Sequence, residues 1–359
     1  MSSEYGENIK ISLFGASHAP EIGVEIEGVP QGTVIDCDYI SEFMSRRAPG
    51  KDILSSSRKE PDIPEIVSGV YGNIATGEKI KAIIKNTDVK SDAYSDLMYK
   101  PRPSHADYPA YIKYGKDYDF RGGGQFSGRL TAPLCFAGAI FKKLLEDKGI
   151  YIGAHILSVR DIYDDRFSTE PDNLELFAPS KKDFPVLNDE KGKLMQDEIL
   201  KAKKDLNSVG GSIECAVTGM PAGIGEPFFG GIEGYISKAM FGIPGIKGIE
   251  FGCGFSGLYM TGAEFNDEYY INDGKVKTFT NHNGGILGGL STGMPIVFTA
   301  AVKPTPSIGL KQKTVDLKTM SDTVITVSGR HDPCIVKRAV PCVEAAAAIA
   351  LYDALRSEK

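Results

Sequence analysis

Hydrophobic and polar positions alternate with a period of two near the start of the chain. The segments NIKISLFG (8–15) and IGVEIEGVP (22–30) read as strands, with Ile22, Val24 and Ile26 alternating with Gly23, Glu25 and Glu27. Between them lies GASHAP (15–20), which places His18 on a loop at a sheet end. The period becomes helical over 38–47 and returns to two over 65–84, where Ile80, Ala82 and Ile84 mark the second of two strands. A Pro-rich stretch, YKPRPSHADY, then leads into a short helix expected to end near Gly115. Ser127 opens, and Gly149 closes, a periodic helix over 127–148. Further strands are expected at 150–160, 211–218, 247–252, 295–303 and near 323–328, and helices at 193–206, 232–242 and 340–356. Residues 161–190 read as a charged excursion on the solvated surface. Hairpin-like strand pairs mixed irregularly with helices imply an α+β class with largely antiparallel sheets, not a doubly wound parallel sheet. No composition break marks a linker, so residues 1–359 are expected to form a single domain.

The composition sharpens this picture. A chain that is 42% hydrophobic, with 41 glycines and 20 prolines, suits a soluble globular protein with a large core and many loops. The net charge of -6 argues against a protein that coats nucleic acid, so any anion site must be local. Seven of the eleven arginines (Arg46, Arg47, Arg102, Arg121, Arg129, Arg330 and Arg338) fall in segments rich in Gly, Pro, Ser or His. The six cysteines form no C-x-x-C pair and no metal spacing with the five histidines, which leaves reduced thiols and no expected metal. The first residues, MSSEYGENIK, lack an apolar segment, and no run of 18 apolar residues occurs; a cytoplasmic protein with no membrane partner is expected.

Several motifs carry chemistry. GLSTG (289–293) fits the nucleophile elbow G-x-S-x-G and GASHA nearly does, but each runs into a strand where the elbow requires a helix. On extended backbone, moreover, Ser17 and His18 would diverge. GCGFSG (252–257) matches a dinucleotide fingerprint without the helix that should follow. RGGGQFSGR (121–129) is stronger: three glycines admit close backbone approach, Ser127 can open a helix, and Arg121 and Arg129 offer planar forks to an oxyanion. NHNGGILGGLSTG (281–293) and VKPTPS (302–307) together suggest a flat or phosphorylated ligand lying on bare backbone, although in isolation a series of glycine turns is the first choice. GRHDPC (329–334) sets three functional side chains in a row, with His331 open to a structural reading, while His155 in a strand pattern reads as packing. Ser-His-Ala occurs twice, at 17–19 and 104–106, the second between Arg102 and Asp107. Two histidines able to deliver protons near neutrality, with several arginines, fit an enzyme that binds a multiply anionic small molecule and assists departure of an anionic group.

The ordered set GASHAP, RRAPG, RPSHAD, DFRGGGQFSGRLTA, SVGG, NHNGGILGGLSTGMPI, VKPTPSI and GRHDPCIVKRAVP resembles the chorismate synthase family along nearly the whole chain. The resemblance implies a βαβ sandwich with helices between antiparallel sheets, a homotetramer, and a lyase at the last common step of the shikimate pathway of aromatic amino-acid biosynthesis. Such a lyase converts 5-enolpyruvylshikimate 3-phosphate to chorismate by anti 1,4-elimination of phosphate and requires reduced FMN. By the same resemblance, His18 protonates the leaving phosphate and His105 serves the flavin N1. Asp332, with Ser17 and Ser127 as relay hydroxyls, helps flavin N5 dispose of the proton from substrate C6. Arg47, Arg102, Arg129 and Arg330 are the implied substrate ligands. Gln125, Phe126, Ser127, Gly245, Gly288, Lys303, Pro304, Thr305, Pro306, Ser307 and Arg330 are the implied FMN positions. Three departures stand out. Ala19 replaces the usual glycine after the histidine. Gln125 replaces an arginine common in some members, and Ile53 stands where some carry an arginine linked to nicotinamide binding, which argues against NADPH use. A catalytically silent flavin or phosphate binder on the same scaffold is the rival reading.

Overall fold

The computed structural model describes residues 3–49, 53–54, 60–87, 98–115, 119–327 and 331–357. The alternating pattern near the start builds an antiparallel sheet of five strands: β1 (Ser3–Tyr5), β2 (Lys10–Gly15), β3 (Glu21–Glu27), β4 (Glu65–Ser68) and β5 (Ile80–Lys85), in the order β1-β2-β3-β5-β4. Ile22, Val24 and Ile26 lie opposite Ile84, Ala82 and Ile80, so one face is wholly apolar and buried. On the other face Glu25 meets Lys79 and Lys81.

A second antiparallel sheet comprises β6 (Tyr151–Val159), β7 (Ile162–Tyr163), β8 (Gly211–Thr218), β9 (Ile246–Phe251) and β10 (Ile296–Val302), in the order β9-β10-β8-β6-β7. Its central register sets Ile213, Cys215 and Val217 opposite Ala300, Phe298 and Ile296.

The helices of eight or more residues are α1 (Cys37–Arg47), α2 (Asp107–Tyr114), α3 (Thr131–Glu146), α4 (Asp189–Lys204), α5 (Ile232–Phe241) and α6 (Val336–Ser357). α3 packs on α6, on α1 and on strands of the first sheet, and α6 packs on β6 and β8 of the second. One apolar cluster runs through both sheets and the helices between them. This is the sandwich of helices between antiparallel sheets that the resemblance implies. The alanine run of α6 follows from its place: residues 339–354 are buried on all sides, and small side chains are what a helix enclosed by a sheet and other helices can carry. At the α3–α6 crossing a Cβ on Gly138 would stand 2.2 Å from Ala345 Cβ, so the two backbones approach as far as glycine allows. Asp353 of α6 then accepts from the amides of Glu7, Asn8 and Ile9 at 2.7–3.0 Å and pins the turn before β2.

The structure corrects three expectations. The helix expected over 127–148 spans Thr131–Glu146 and is preceded by a 3-10 turn, Gly128–Leu130, which Ser127 Oγ caps by accepting from the Arg129 amide. The closing helix begins at Val336, because Pro341 is tolerated inside it and does not start it. The excursion over 161–190 is anchored, not merely solvated, by a buried charged network. His155 Nδ1 and Nε2 lie 3.1 and 3.0 Å from Asp164 and Glu214, Asp164 accepts from the amides of Leu187 and Asn188, and Glu214 from that of Phe167 and from Arg166. His155 is therefore an ion-paired group, where the strand pattern suggested packing alone. Among the described residues no helix is long and apolar enough to cross a membrane.

Candidate active site

The loop between β2 and β3 is a turn, so the extended geometry that would splay Ser17 and His18 apart does not hold. The Ala19 amide donates to the Ala16 carbonyl at 3.1 Å and the Ser17 amide to the Gly124 carbonyl at 3.1 Å. Both side chains consequently face Gly122: a Cβ there would stand 2.6 Å from His18 Nε2 and 2.8 Å from Ser17 Oγ. Ser17 Oγ donates to the Arg121 carbonyl at 3.0 Å, which ties the hydroxyl to this loop. The next residue, Gly123, faces the other histidine, and its Cβ would lie 3.3 Å from His105 Nε2. Gly122 and Gly123 adopt φ of 62° and 111°. The glycines expected to cradle an anion thus also let two imidazoles meet one stretch of bare backbone.

His105 is oriented from behind. Its Nδ1 lies 2.6 Å from Asp107 Oδ1, and Asp107 also accepts from the Arg102 amide and guanidinium. Burial would raise the Asp107 carboxyl, but hydrogen bonds from Arg102 and His105 outweigh it and hold the group well below the usual carboxylate range. The carboxylate accepts the Nδ1 proton and turns Nε2 toward Gly123.

The implied substrate arginines that are described are all buried and bonded to protein groups. Arg47 gives one nitrogen to Asp62, one to Thr131 Oγ1 at 3.0 Å and one to the Gly128 carbonyl at 3.1 Å. Arg129 hydrogen-bonds Asp62 and, through Nε, Asn86 Oδ1 at 2.9 Å, and its Nη2 forms an ion pair with Glu60 at 3.2 Å. Although burial raises it, the Asp62 carboxyl is kept below its ordinary value by Arg47 and Arg129. Arg102 Nη1 donates to Ser307 Oγ at 3.1 Å. Arg330 lies outside the described residues.

The loop after β10 closes the far side. Lys303 Nζ donates to the Ser104 carbonyl at 2.6 Å, Thr305 Oγ1 to the Asp332 carbonyl at 2.8 Å, and Pro304 packs on Gly210. Burial and Lys247 lower the Lys303 ammonium. Asp332 Oδ2 accepts from Arg338 Nη1 at 2.9 Å, and Arg338 Nε donates to the Arg47 carbonyl at 3.0 Å. His331 Nε2 lies 3.1 Å from the Val327 carbonyl, and burial lowers this imidazole. Gln125, Phe126 and Ser127 continue the glycine loop, with Phe126 partly exposed beside Tyr114. Gly245 accepts from the Lys303 amide at 2.9 Å. Gly288 is brought elsewhere: it tops the hairpin Ile286–Leu287/Leu290–Ser291, which bonds to the loop at Gly223–Ile232. The GLSTG serine, Ser291, donates to the Pro221 carbonyl at 2.5 Å within that hairpin, as its strand context implied.

The family model described as chorismate synthase matches residues 9–355. The chain belongs to the chorismate synthase family. A chorismate synthase of Lancefieldella parvula is 44% identical over 99% of this chain and 97% of its own length. Those of Pyrococcus abyssi and Korarchaeum cryptofilum are 44% and 41% identical over 98% and 97% of the chain, covering 96% of each relative. A crystal structure of a chorismate synthase superposes with a TM-score of 0.77 at 26% identity, covering 99% of this chain and 93% of that one. The chain is therefore an enzyme of the chorismate synthase type, a lyase. The sequence reading did not single out Asp62, Glu60 and Asn86, which contact the buried arginines, or the pairing of Arg338 with Asp332. Asp107 carried a visible signal, lying two positions after His105. Nothing local distinguishes the carboxylates of KEPDIPE from solvated ones.

Proposed function

We propose that this chain eliminates phosphate from 5-enolpyruvylshikimate 3-phosphate to give chorismate, with reduced FMN bound. The observation that carries the reading is the meeting of His18 and His105, from two Ser-His-Ala segments far apart in sequence, across Gly122 and Gly123. A generic phosphate binder has no need of two such imidazoles.

The residues present fit the cofactor. The backbone left bare at Gly123 beside His105 Nε2, the partly exposed Phe126 ring, and the Lys303 ammonium with Lys247 near it supply the donor, apolar and cationic groups that a flavin mononucleotide requires. Gln125–Ser127 and Lys303–Ser307 would hold it, with the Gly245 carbonyl fixing the Lys303 amide and Arg330 the further residue that the resemblance implies, while Gly288, on its separate hairpin, is not used. When bound, reduced FMN supplies electron density to an allylic system that loses phosphate without net redox change. His18 gives its proton to the departing phosphate oxygen. His105 Nε2, aimed by Asp107, serves the proton at N1. Asp332, held by Arg338, would help dispose of the proton released from C6, with the Ser17 and Ser127 hydroxyls as the relay that the resemblance implies. Arg102 lies beside His105, with Nη2 3.2 Å from Nδ1, and Arg47 and Arg129 meet substrate anions in exchange with Asp62 and Glu60.

The test is anaerobic turnover of 5-enolpyruvylshikimate 3-phosphate with pre-reduced FMN, read as chorismate absorbance; no product would end the reading. His18→Ala, His105→Ala and Asp332→Ala should each slow turnover while FMN binding persists, and unchanged rates in all three would favour the silent binder. The whole chain acts as one domain in this reading, in the cytoplasm, and assembles as a homotetramer. Phe228 and Phe229, 91% and 101% exposed, with Tyr259 at 91%, support a self-association surface. Light scattering should give four chain masses, and Phe229→Asp should lower that mass.

A further inference from the structure

We infer that Asn86 is a positioning residue for the proposed elimination, its single amide fixing the Ser17–His18 turn and Arg129 in one frame. Asn86 directly follows β5, and its backbone amide donates to the Pro20 carbonyl at 3.0 Å. Its Nδ2 donates to the carbonyls of Ala19 at 2.7 Å and Ala16 at 3.2 Å, the two peptides that bracket Ser17 and His18. Its Oδ1 accepts from Arg129 Nε at 2.9 Å. A primary amide has two hydrogens and one carbonyl, and here both hydrogens and the oxygen are engaged by three separate partners. The guanidinium can only donate and the two carbonyls can only accept, so the amide has one possible orientation.

The arrangement couples the proposed acid to a proposed anion ligand. Arg129 spends its other nitrogens on Asp62 and Glu60, and Nε on Asn86 is its one bond to a neutral partner among these. The turn, for its part, is held on one side by the glycine loop, through the Ser17 amide and hydroxyl, and on the other by Asn86. The same geometry accounts for Ala19. Asn86 grips the carbonyl of residue 19, and that residue is not among those with positive φ, so no glycine is required.

This role rests on the proposed function, and the experiment separates the two. Asn86→Asp is isosteric: one oxygen keeps Arg129, now with charge assistance, while the other faces two carbonyl oxygens and expels the turn. Full-length Asn86→Asp with reduced FMN should lose about 10- to 100-fold in kcat with KM within about threefold, because small misplacements of reacting groups cost this much. Asn86→Ala should add a rise in KM. His18→Gln should cost far less in the Asn86→Asp background than in the wild type, since the two changes disable one device. The second readout needs no turnover. In spectra of histidine-labelled protein, the His18 signal, assigned through His18→Gln, should move in Asn86→Asp while His155 and His282 stay in place. Should Asn86→Asp not fold, Asn86→Ser, which retains one donor, must lie between wild type and Asn86→Ala in kcat. Kinetic constants within about twofold of wild type, independent losses in the double variant, or an unmoved His18 signal would each overturn the inference. An inactive wild type would end the functional reading and leave the spectral comparison to decide the role of Asn86.

Discussion

At Gly122 a single missing carbon decides whether two side chains can approach the same loop. Gly122→Ala would set a Cβ 2.6 Å from His18 Nε2 at a φ of 62°, where an L residue costs about 1–2 kcal/mol. Turnover should fall by about 100-fold or more, while the urea midpoint moves only by the amount that backbone cost implies. Asp107→Asn tests the support of His105. The amide can still accept from Arg102 but no longer selects the imidazole proton by charge, so kcat should drop about 10- to 100-fold, with circular dichroism unchanged. The histidines themselves were legible because Ser-His-Ala repeats. Asn86, Asp62 and Glu60 were not, since a polar residue after a strand, or in a Pro-rich loop, has the same local pattern whether it meets water or a buried guanidinium.

Among the elements, α3 and α6 set the spacing of the helix layer. Gly138→Ala would gain about 1 kcal/mol of helix propensity. It would also drive a methyl to 2.2 Å from Ala345 Cβ and 2.4 Å from its Cα, and no rotamer change relieves contact with a backbone. Overpacking of this kind costs about 1–3 kcal/mol, so the clash wins and the unfolding midpoint should fall. Eight strands of the two sheets were readable from period-two runs, to within about three residues, whereas β1 and β7, three and two residues long, are too short to show a period. The ends of α3 and α6 were not, because a 3-10 turn at Ser127 and a proline within α6 leave the same periodic trace as a helix start. The hairpins Tyr269–Asn272/Lys275–Thr278 and Gln312–Asp316/Ser321–Ile325 were largely hidden, their mostly exposed strands lacking an apolar face to reveal them.

For the molecule as a whole, the network at His155 sets a pH dependence. Burial opposes the charge on His155, but hydrogen bonds to Asp164 and Glu214 outweigh it and raise the imidazole above its ordinary value. The stabilisation is thus fully present below the unfolded value of about 6.5 and is lost as pH rises through the raised folded value. The urea midpoint should decline as pH rises above about 6.5, and His155→Gln should be less stable than the wild type below that pH and flatten the slope. A slope equal in both proteins would show that other groups govern it. Sheet class was evident from sequence rhythm, whereas the stacking of two sheets about a helix layer came through the family resemblance, since periodicity reports which face is apolar and not what covers it. The three layers also divide the histidine site between them. His18 hangs from the first sheet, the glycine pair enters the α3 layer, and His105 is braced through Ser104 and Arg102 by the loop that leaves the second sheet. The two imidazoles are thus tied to different layers, so a substitution that swells the middle layer far from either loop should disturb their common approach to the glycine pair, seen as lost turnover.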